Sequence, residues 1–458
     1  MIALRPYQQA MLDAARTSYR AGHRAVLFNL PTGGGKTVTA STVVHGAALK
    51  GRRVWWLAHR RELSEQASQT FHNLDIPHGM VNAGRVTDPA ALVQVASIQT
   101  IARRHDRLPA PDLIVFDECH HIGAAQWEAL FNAYPAAKIL GLTATPWRLD
   151  GQGLGKWFSE MITGPTVADL IANGSLSPYR LFAPATPDLA GVGTVAGDYK
   201  RGALSAAMNK PAIVGDAIGH YRRLCDGKRA VAFAAGVENS RAIAAQFNFA
   251  GIPAEHVDGS MPAEMRDAAV ARFRRGETLI LSNADLFGEG FDVPAIEAAI
   301  LLRPTQSLSL YLQQVGRALR PAPGKSEAII LDHAGNSIKH GLPDDVREWS
   351  LTDREKRARR EVSEVPVRQC EECFFVYRPA PSCPCCGHTP AVKAREIEVI
   401  EGTLEEVSRK AEQAKRERWA EERECDTLAD WQALGRARGY KSGWAYARWQ
   451  ARQARQAA

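Results

Sequence analysis

The chain has 458 residues, with 57 Lys and Arg against 50 Asp and Glu, for a net charge of +7. Hydrophobic residues make up 45% and charged residues 23%, ordinary globular values that exclude a disordered chain, a collagen or a low-complexity polymer. At roughly 150 residues per domain the length suggests about three domains. No run of about 18 apolar residues is present, so no membrane span is expected. The opening Met1-Ile2-Ala3-Leu4-Arg5-Pro6-Tyr7-Gln8 lacks the apolar core of a signal peptide, and a cytoplasmic location is the expectation.

Strand-like runs begin at Ala25-Val26-Leu27-Phe28 and recur at 54–57, 93–96, 113–116 and 138–142. They are apolar on both faces, as in a buried parallel sheet, and helix-length segments separate them. Leu30-Pro31-Thr32-Gly33-Gly34-Gly35-Lys36-Thr37 follows the first run. Glycines here let the backbone curl so that successive N–H groups cradle phosphate, and the next helix offers its positive N-terminus to the same anion. In such a loop Lys36 reaches the outer phosphates and the Thr37 hydroxyl serves Mg²⁺. Asp117-Glu118-Cys119-His120 ends the fourth run. Two carboxylates at the end of an apolar strand suit a nucleotide site, with Asp117 toward Mg²⁺ and Glu118 orienting and deprotonating the attacking water.

The pattern breaks over about 165–210, which is richer in Gly, Pro and Ser, and resumes at 230–233, 278–281, 296–301 and 328–331. Two α/β domains with a connecting segment are expected. From about 345 the chain becomes charged and mostly helical, interrupted by a Cys cluster.

These motifs resemble those of a superfamily 2 helicase or translocase of the DExH type, over residues 1–340. The resemblance implies two tandem RecA-like domains, at 1–165 and 210–345, joined by 166–209. It implies adenine contacts at Arg5 and Gln8, a phosphate site at Thr32, Gly33, Gly34, Gly35, Lys36 and Thr37, and ATP with Mg²⁺ as cofactors. Ala58-His59-Arg60-Arg61-Glu62-Leu63 and Ser97-Ile98-Gln99-Thr100 look like nucleic-acid contact loops. Leu142-Thr143-Ala144-Thr145-Pro146 is similar to the motif linking hydrolysis to the bound strand. Ser282 to Pro294, with Asp292, resembles the motif that touches nucleotide and nucleic acid together. Gln313-Gln314-Val315-Gly316-Arg317-Ala318-Leu319-Arg320 fits Q-x-x-G-R-x-x-R, with Gln313 in the catalytic set and Arg317 and Arg320 as arginine fingers. The L-R-P-Y-Q-Q start, the DECH box and Leu331-Asp332-His333-Ala334-Gly335-Asn336 resemble bacterial RadD-type and phage-borne helicases in particular.

The implied function is ATP-dependent movement on, or remodelling of, DNA in recombination, repair or phage replication. Single-stranded or branched DNA is the implied substrate, with RNA still open and no protein partner identified. Two alternatives share the same motifs: the motor of a restriction or defence complex, and an ATP-gated binding or annealing factor.

Cys370-Glu371-Glu372-Cys373 and Cys383-Pro384-Cys385-Cys386-Gly387 form two C-x-x-C pairs. Cys370, Cys373, Cys383 and Cys386 are the expected ligands of a structural Zn²⁺ in a small ribbon over 366–392, with Cys385 and His388 as substitutes. A charged helix and tail occupy 400–458. Arg436, Arg438, Lys441, Arg448, Arg452 and Arg455 interleave with Trp431, Tyr440, Trp444, Tyr446 and Trp449, and 431–458 holds no acidic residue. The excess charge therefore sits in this tail, and the rest of the chain is almost neutral. Two readings fit equally: aromatics stacking on bases with the cations on phosphates, or a helical hairpin with its Trp residues packed inward.

Overall fold

The computed structural model describes residues 4–456 apart from 60, 83–84, 122–124, 149–151, 185–191, 196–197, 209–210, 285–295, 353–366, 391–412, 414–415, 418–419, 423 and 441–442. Two compact units result, Met1–Pro390 and Ala391–Ala458.

The first half of the larger unit alternates helices and strands: α1 (Pro6–Arg20), β1 (Ala25–Asn29), α2 (Lys36–Ala48), β2 (Val54–Ala58), α3 (Arg61–Asn73), β3 (Gly79–Asn82), β4 (Arg85–Val86), β5 (Val93–Ser97), α4 (Ile98–Ile101), β6 (Leu113–Phe116), α5 (Ala125–Ala133), β7 (Lys138–Thr143) and β8 (Glu160–Thr163). The eight strands form one sheet in the order β4-β3-β5-β2-β6-β7-β1-β8. All pair in parallel except β3 with β4. Parallel strands need crossover helices, and those helices cover both faces. Alternation along each strand then divides the core. Val26, Phe28, Trp56, Val115 and Leu140 pack on one face with Met11, Val44 and Phe71 from α1, α2 and α3. Leu27, Trp55, Leu57, Ile114 and Phe116 pack on the other with Trp127 and Leu130 from α5.

The second half follows the same logic. It contains α6 (Val167–Ala172), β9 (Tyr179–Phe182), the short pair β10 (Thr194–Val195) and β11 (Asp198–Tyr199), α7 (Arg201–Met208), α8 (Pro211–Cys225), β12 (Ala230–Ala234), α9 (Val237–Phe249), β13 (Ala254–Asp258), α10 (Ala263–Arg275), β14 (Ile280–Ala284), β15 (Ala298–Leu302), α11 (Leu308–Ala318), β16 (Ala328–Asp332) and α12 (Asn336–His340). The sheet order is β13-β14-β12-β15-β16-β9, with every pairing parallel. Part of the 166–209 segment thus belongs to this domain: β9 is its edge strand, and Leu170, Leu176 and Leu181 join its core. A connecting stretch and a sheet edge are hard to tell apart in sequence, because an edge strand is buried less completely and shows a weaker apolar run.

The Cys-rich segment forms a two-stranded ribbon, β17 (Arg368–Gln369) and β18 (Val376–Tyr377), and it caps that edge. Ala183 N–H donates to the Phe374 carbonyl at 2.9 Å, and Gln369 Nε2 donates to the Ala183 carbonyl. Phe182 and Phe375 meet edge to face at 5.4 Å. An exposed row of strand N–H and C=O groups invites pairing with other chains, and the ribbon removes that exposure here.

After α12 the chain returns to the first domain. Gly155 N–H donates to the Leu351 carbonyl at 2.8 Å, Trp349 lies 4.9 Å from Trp147, and Leu351 packs with the first domain's core. A Cβ on Gly153 would come within 2.1 Å of the Leu351 carbonyl oxygen, so only glycine permits this contact.

The smaller unit is described by its hairpin, α13 (Leu428–Ala437) and α14 (Gly443–Gln456). Thr427 and Asp430 form a capping box at its start, with Thr427 N–H on Asp430 Oδ2 at 2.8 Å and Asp430 N–H on Thr427 Oγ1 at 3.3 Å. Trp431 is 4% exposed and packs with Leu434, Trp444, Ala445 and Trp449. Arg438 pairs with Glu421 and Glu422, and Arg452 with Asp426. The packing follows the inward-facing reading of the Trp residues, while Tyr440, Tyr446, Arg436 and Arg448 are exposed. Among the described residues no helix is long and apolar enough to cross a membrane.

Candidate nucleotide and metal sites

The strand ends assemble the first site. In the first sheet Asn29 of β1 lies opposite Thr143 of β7, and Phe116 of β6 lies opposite Gly141. The phosphate loop, the Asp117-Glu118 pair and the Thr143-Ala144-Thr145 turn therefore leave the sheet side by side at its carboxyl edge. Open α/β sheets bind ligands at that edge.

The loop is built for close backbone approach. Gly33 and Gly35 hold φ of +85° and +86°, a region that side-chain-bearing residues avoid. A Cβ on Gly35 would stand 2.5 Å from Gln8 Nε2. Tyr7 hydroxyl donates to the Gly34 carbonyl at 2.8 Å, and Gln8 Nε2 faces the Gly34 and Gly35 carbonyls at 3.4 and 3.5 Å. Gln8 Oε1 in turn accepts from Arg5 N–H at 2.9 Å. Both ends of the buried Gln8 amide are thus directed to backbone.

Lys36 Nζ donates to the Leu30 carbonyl at 3.3 Å and sits 3.7 Å from Glu118 Oε1. Asp117 is buried, and burial beside the Glu118 carboxylate pushes its pKa up to about 7, a shift that a cation at the site would reverse. Glu118 occupies the left-handed region at φ +48°, a strained position for a non-glycine residue. Its Oε2 lies 3.4 Å from His120 Nδ1. His120 Nδ1 also lies 3.0 Å from Thr143 Oγ1. The Thr143 hydroxyl donates to the Thr145 carbonyl, so at this contact it accepts, and His120 Nδ1 carries the hydrogen.

The second domain closes the site. Gly316 of α11 presses on the phosphate loop; a Cβ there would stand 2.7 Å from Thr32 Cβ. Thr145 hydroxyl donates to Ser309 Oγ at 2.7 Å, a buried bond between the two domains. A cleft of about 780 Å³ results, lined by Thr32, Gly33, Gly35, Lys36, Thr37, Asp117 and Glu118 from one side and by Arg317 and Arg320 from the other. Arg5, Gln8, Gly34 and Gln313 are not on its wall. Gln313 is buried, and its Nε2 has no hydrogen-bond partner among the described residues. Asp292 lies outside the described residues. Thr32 Oγ1 is likewise buried and without a partner among the described residues, as a ligand-facing hydroxyl in a phosphate loop would be.

Some wall residues carry no motif. Arg266, Val270 and Arg274 of α10 reach the cleft, as do Gln66, Gln69 and Asn73 of α3. Both sets follow one helical face at i, i+4, i+8 or i, i+3, i+7 spacing. That periodicity was a readable signal, but nothing in the sequence says which domain the face opposes.

In the ribbon the four sulfurs of Cys370, Cys373, Cys383 and Cys386 all lie within 4.8 Å of one another. Cys370 to Cys386 is 3.6 Å and Cys373 to Cys383 is 3.7 Å. Zn–S bonds of about 2.3 Å in a tetrahedron put sulfurs about 3.8 Å apart. The set fits zinc and leaves no open position for chemistry. Cys385 is exposed and stands outside it, as does His388. Cys373→Ser should abolish stoichiometric zinc and loosen the ribbon from β9. At roughly 2–4 °C per kcal/mol, losing about 2–3 kcal/mol lowers the thermal midpoint by about 4–12 °C. Metal analysis beside thermal unfolding checks this; an unchanged midpoint in zinc-free protein would mean that the ribbon holds its place without the metal.

Comparison with known proteins gives these sites a context. Residues 1–148 match the family described as Type III restriction enzyme, res subunit, and residues 210–322 match the Helicase conserved C-terminal domain. A 51.5 kDa protein of a Lactococcus phage is 35% identical over 387 residues, 82% of each chain. The chain belongs to the superfamily 2 helicases of the DExH type. IRC3 of Saccharomyces cerevisiae, which carries the name of an ATP-dependent helicase, is 29% identical over 73% of this chain, which spans about half (52%) of that protein's length. The EcoAI type I restriction enzyme endonuclease subunit of Escherichia coli is 29% identical over 39% of this helicase and 24% of its own length. Among solved structures, the DNA-bound Type ISP restriction-modification enzyme LlaBIII superposes with a TM-score of 0.54 at 20% identity, covering 72% of this chain and 27% of that one, a likeness of fold. The family uses ATP hydrolysis to drive a motor, so this chain is a nucleic-acid-binding ATPase.

Proposed function

We propose that this helicase is an ATP-driven motor on DNA, and that the two-sided cleft is where it turns ATP over. The observation that carries the reading is the cleft itself, in which Lys36, Asp117 and Glu118 of one domain face Arg317 and Arg320 of the other. In this reading the phosphate loop and Lys36 bind the outer phosphates. Thr37 and Asp117 would hold Mg²⁺, which supplies charge neutralisation there. Glu118 orients the attacking water and takes its proton, and the two arginines stabilise charge spreading on the transferred phosphoryl group. Adenine would meet the protein near Arg5 and Gln8 only if the Gln8 amide leaves its backbone partners.

Closure brings Gly316 onto the phosphate loop and Ser309 onto Thr145; opening separates them. Alternation between the two, driven by hydrolysis, moves strand-contact loops on the two domains relative to one another. DNA rather than RNA is supported by the restriction-enzyme description of the matched family and by the name of the E. coli relative. Recombination, repair or phage replication is the setting we infer, in a reducing, cytoplasmic compartment where the Cys370–Cys386 thiolates stay available to zinc. The same restriction-enzyme likeness favours a second reading, a motor subunit that works beside a nuclease.

ATPase stimulation by single-stranded DNA, duplex, fork and RNA, measured side by side, tests the substrate. Strand and triplex displacement test the motion. Stimulation by RNA alone would overturn the DNA assignment. Intact ATPase with no displacement of either kind would leave an ATP-gated binding factor instead. Capture of a nuclease or methyltransferase subunit would establish the second reading.

A further inference from the structure

A second pocket, of about 80 Å³, opens where the two domains and the returning chain meet. Among the described residues it shares only Thr32 with the nucleotide cleft, and Arg5, Tyr7 and Gln8 are not on its wall. Asn29 enters it from the end of β1, Val167 from the passage after β8, Leu312 and Leu319 from α11, and Trp349 from the segment after α12. The walls are mostly apolar, and their charges are already spent. Arg347 donates to the carbonyls of Pro343, Asp345, His340 and Leu342 at 2.8 to 3.2 Å. Asp345 accepts from Leu342 N–H at 2.7 Å and from Arg378 at 3.0 Å. Asn29 is different. It is 2% exposed, and its Oδ1 has no partner among the described residues. A buried carbonyl oxygen with nothing to accept from is costly, so it marks a place for a donor from outside the chain.

We propose that this pocket is a second ligand site, for a small uncharged aromatic molecule carrying one N–H or O–H donor. The donor meets Asn29 Oδ1, and the ring lies against Val167, Leu312 and Leu319. The volume suits a single ring. An apolar cavity of about 150 Å³ takes benzene whole; this pocket is smaller but open at its mouth, so the ring seats with one edge in water. A charged ligand would find no unspent counter-ion among the described residues. Because both domains wall the pocket, it is complete only in the closed arrangement. A ligand that needs the closed arrangement favours it, and ATP and ligand then tighten one another's binding. Reopening slows, and turnover slows with it. That kinetic consequence rests on the reading in which the cleft closes and reopens in each cycle; the site itself does not.

The test uses phenol as the probe, with fluorobenzene as a ring without a donor and benzoate as a ring with a charge. Each is titrated into the full-length chain with a non-hydrolysable ATP analogue. Ligand-observed NMR and the thermal midpoint read binding, and ATP turnover is followed across ATP concentrations. Phenol should bind with a Kd of about 1 mM, as expected for so small a ligand. At saturation it should lower kcat and KM by the same factor, about 2- to 10-fold. Fluorobenzene should bind about 5- to 10-fold more weakly, and benzoate not at all. Asn29→Ala should erase the difference between phenol and fluorobenzene. Val167→Phe fills the pocket and should abolish phenol binding; it carries the test alone if the Asn29 variant unfolds. Phenol binding that survives Val167→Phe overturns the proposal. So does a rise in KM alone, which would put phenol in the nucleotide cleft, and so does fluorobenzene bound as tightly as phenol. No phenol binding at all would leave water as the only occupant and overturn it too. Binding that Val167→Phe abolishes, with turnover unchanged by phenol, upholds the site and overturns the reading of turnover as closing and reopening.

Discussion

Glu118→Gln lowers strand-stimulated ATP turnover by about 10²- to 10⁴-fold, the range for loss of a general base, while ATP binding stays within a few-fold. That factor corresponds to about 3–5 kcal/mol of transition-state stabilisation. The substitution suits the site because Gln keeps the shape of Glu and its place near Lys36 and His120, but cannot take a proton. It also removes a negative charge beside Asp117, whose carboxyl is pushed up first by burial and then by that neighbour. Asp117 becomes easier to ionise, so metal and nucleotide binding should not suffer. Lys36→Ala differs in kind. It leaves the phosphates and Glu118 without their cation, and binding and turnover fail together. Equilibrium binding of a fluorescent ATP analogue beside single-turnover hydrolysis separates the two outcomes. Turnover in Glu118→Gln within three-fold of wild type would mean that another group activates the water.

What the sequence disclosed about this fold depended on burial and locality. Strands β1, β2 and β6 are buried along their length and read as apolar runs, as do β12, β15 and β16, while β5 and β7 are buried over all but one residue and stay legible despite Gln94 in β5 and Lys138 in β7. The edge strands were not legible. In β13 Glu255 pairs with Arg272 and His256 with Asp258, so its polar residues serve the sheet's margin and hide its strand character. In β9 the run is Tyr-Arg-Leu-Phe, and its cover is a ribbon more than 180 positions later. The site divides along the same line. The phosphate loop and the Asp117-Glu118 pair work through backbone curvature and adjacency, which a short string specifies. His59 packs against His121, and His121 against His120, across two loops about sixty residues apart, and no spacing rule connects them. Gln8 was expected as an adenine contact, whereas the direction of its amide, toward Arg5 and Gly34 instead of the cleft, is a three-dimensional fact.

Replacing Arg317 or Arg320 with Ala should cost about 10³- to 10⁵-fold in turnover, on the order of 4–7 kcal/mol, if these side chains stabilise the transferring phosphoryl group. The geometry says why α11 can deliver them. Gly316 lets the helix approach Thr32 more closely than any side chain would, and the next residue is Arg317. One turn on, the Arg320 side chain lies alongside Gly33, with its Cγ 3.7 Å from where a Cβ would stand. Lys325 donates to the Arg320 carbonyl at 2.8 Å and fixes the end of this segment. Both arginines line the cleft from a domain that shares no strand with Lys36. Conservative replacement is the sharper test. Arg317→Lys keeps the charge but loses the planar fork that spans two phosphate oxygens, so most of the deficit should persist. A charge-only role would instead let Lys recover nearly all of the rate. Because the arginines belong to the closed cleft alone, their loss should lower kcat far more than it weakens ATP binding. A variant that binds ATP poorly but turns over normally once saturated would put these residues in the ground state, and the cleft would then be a binding clamp rather than a split catalytic site.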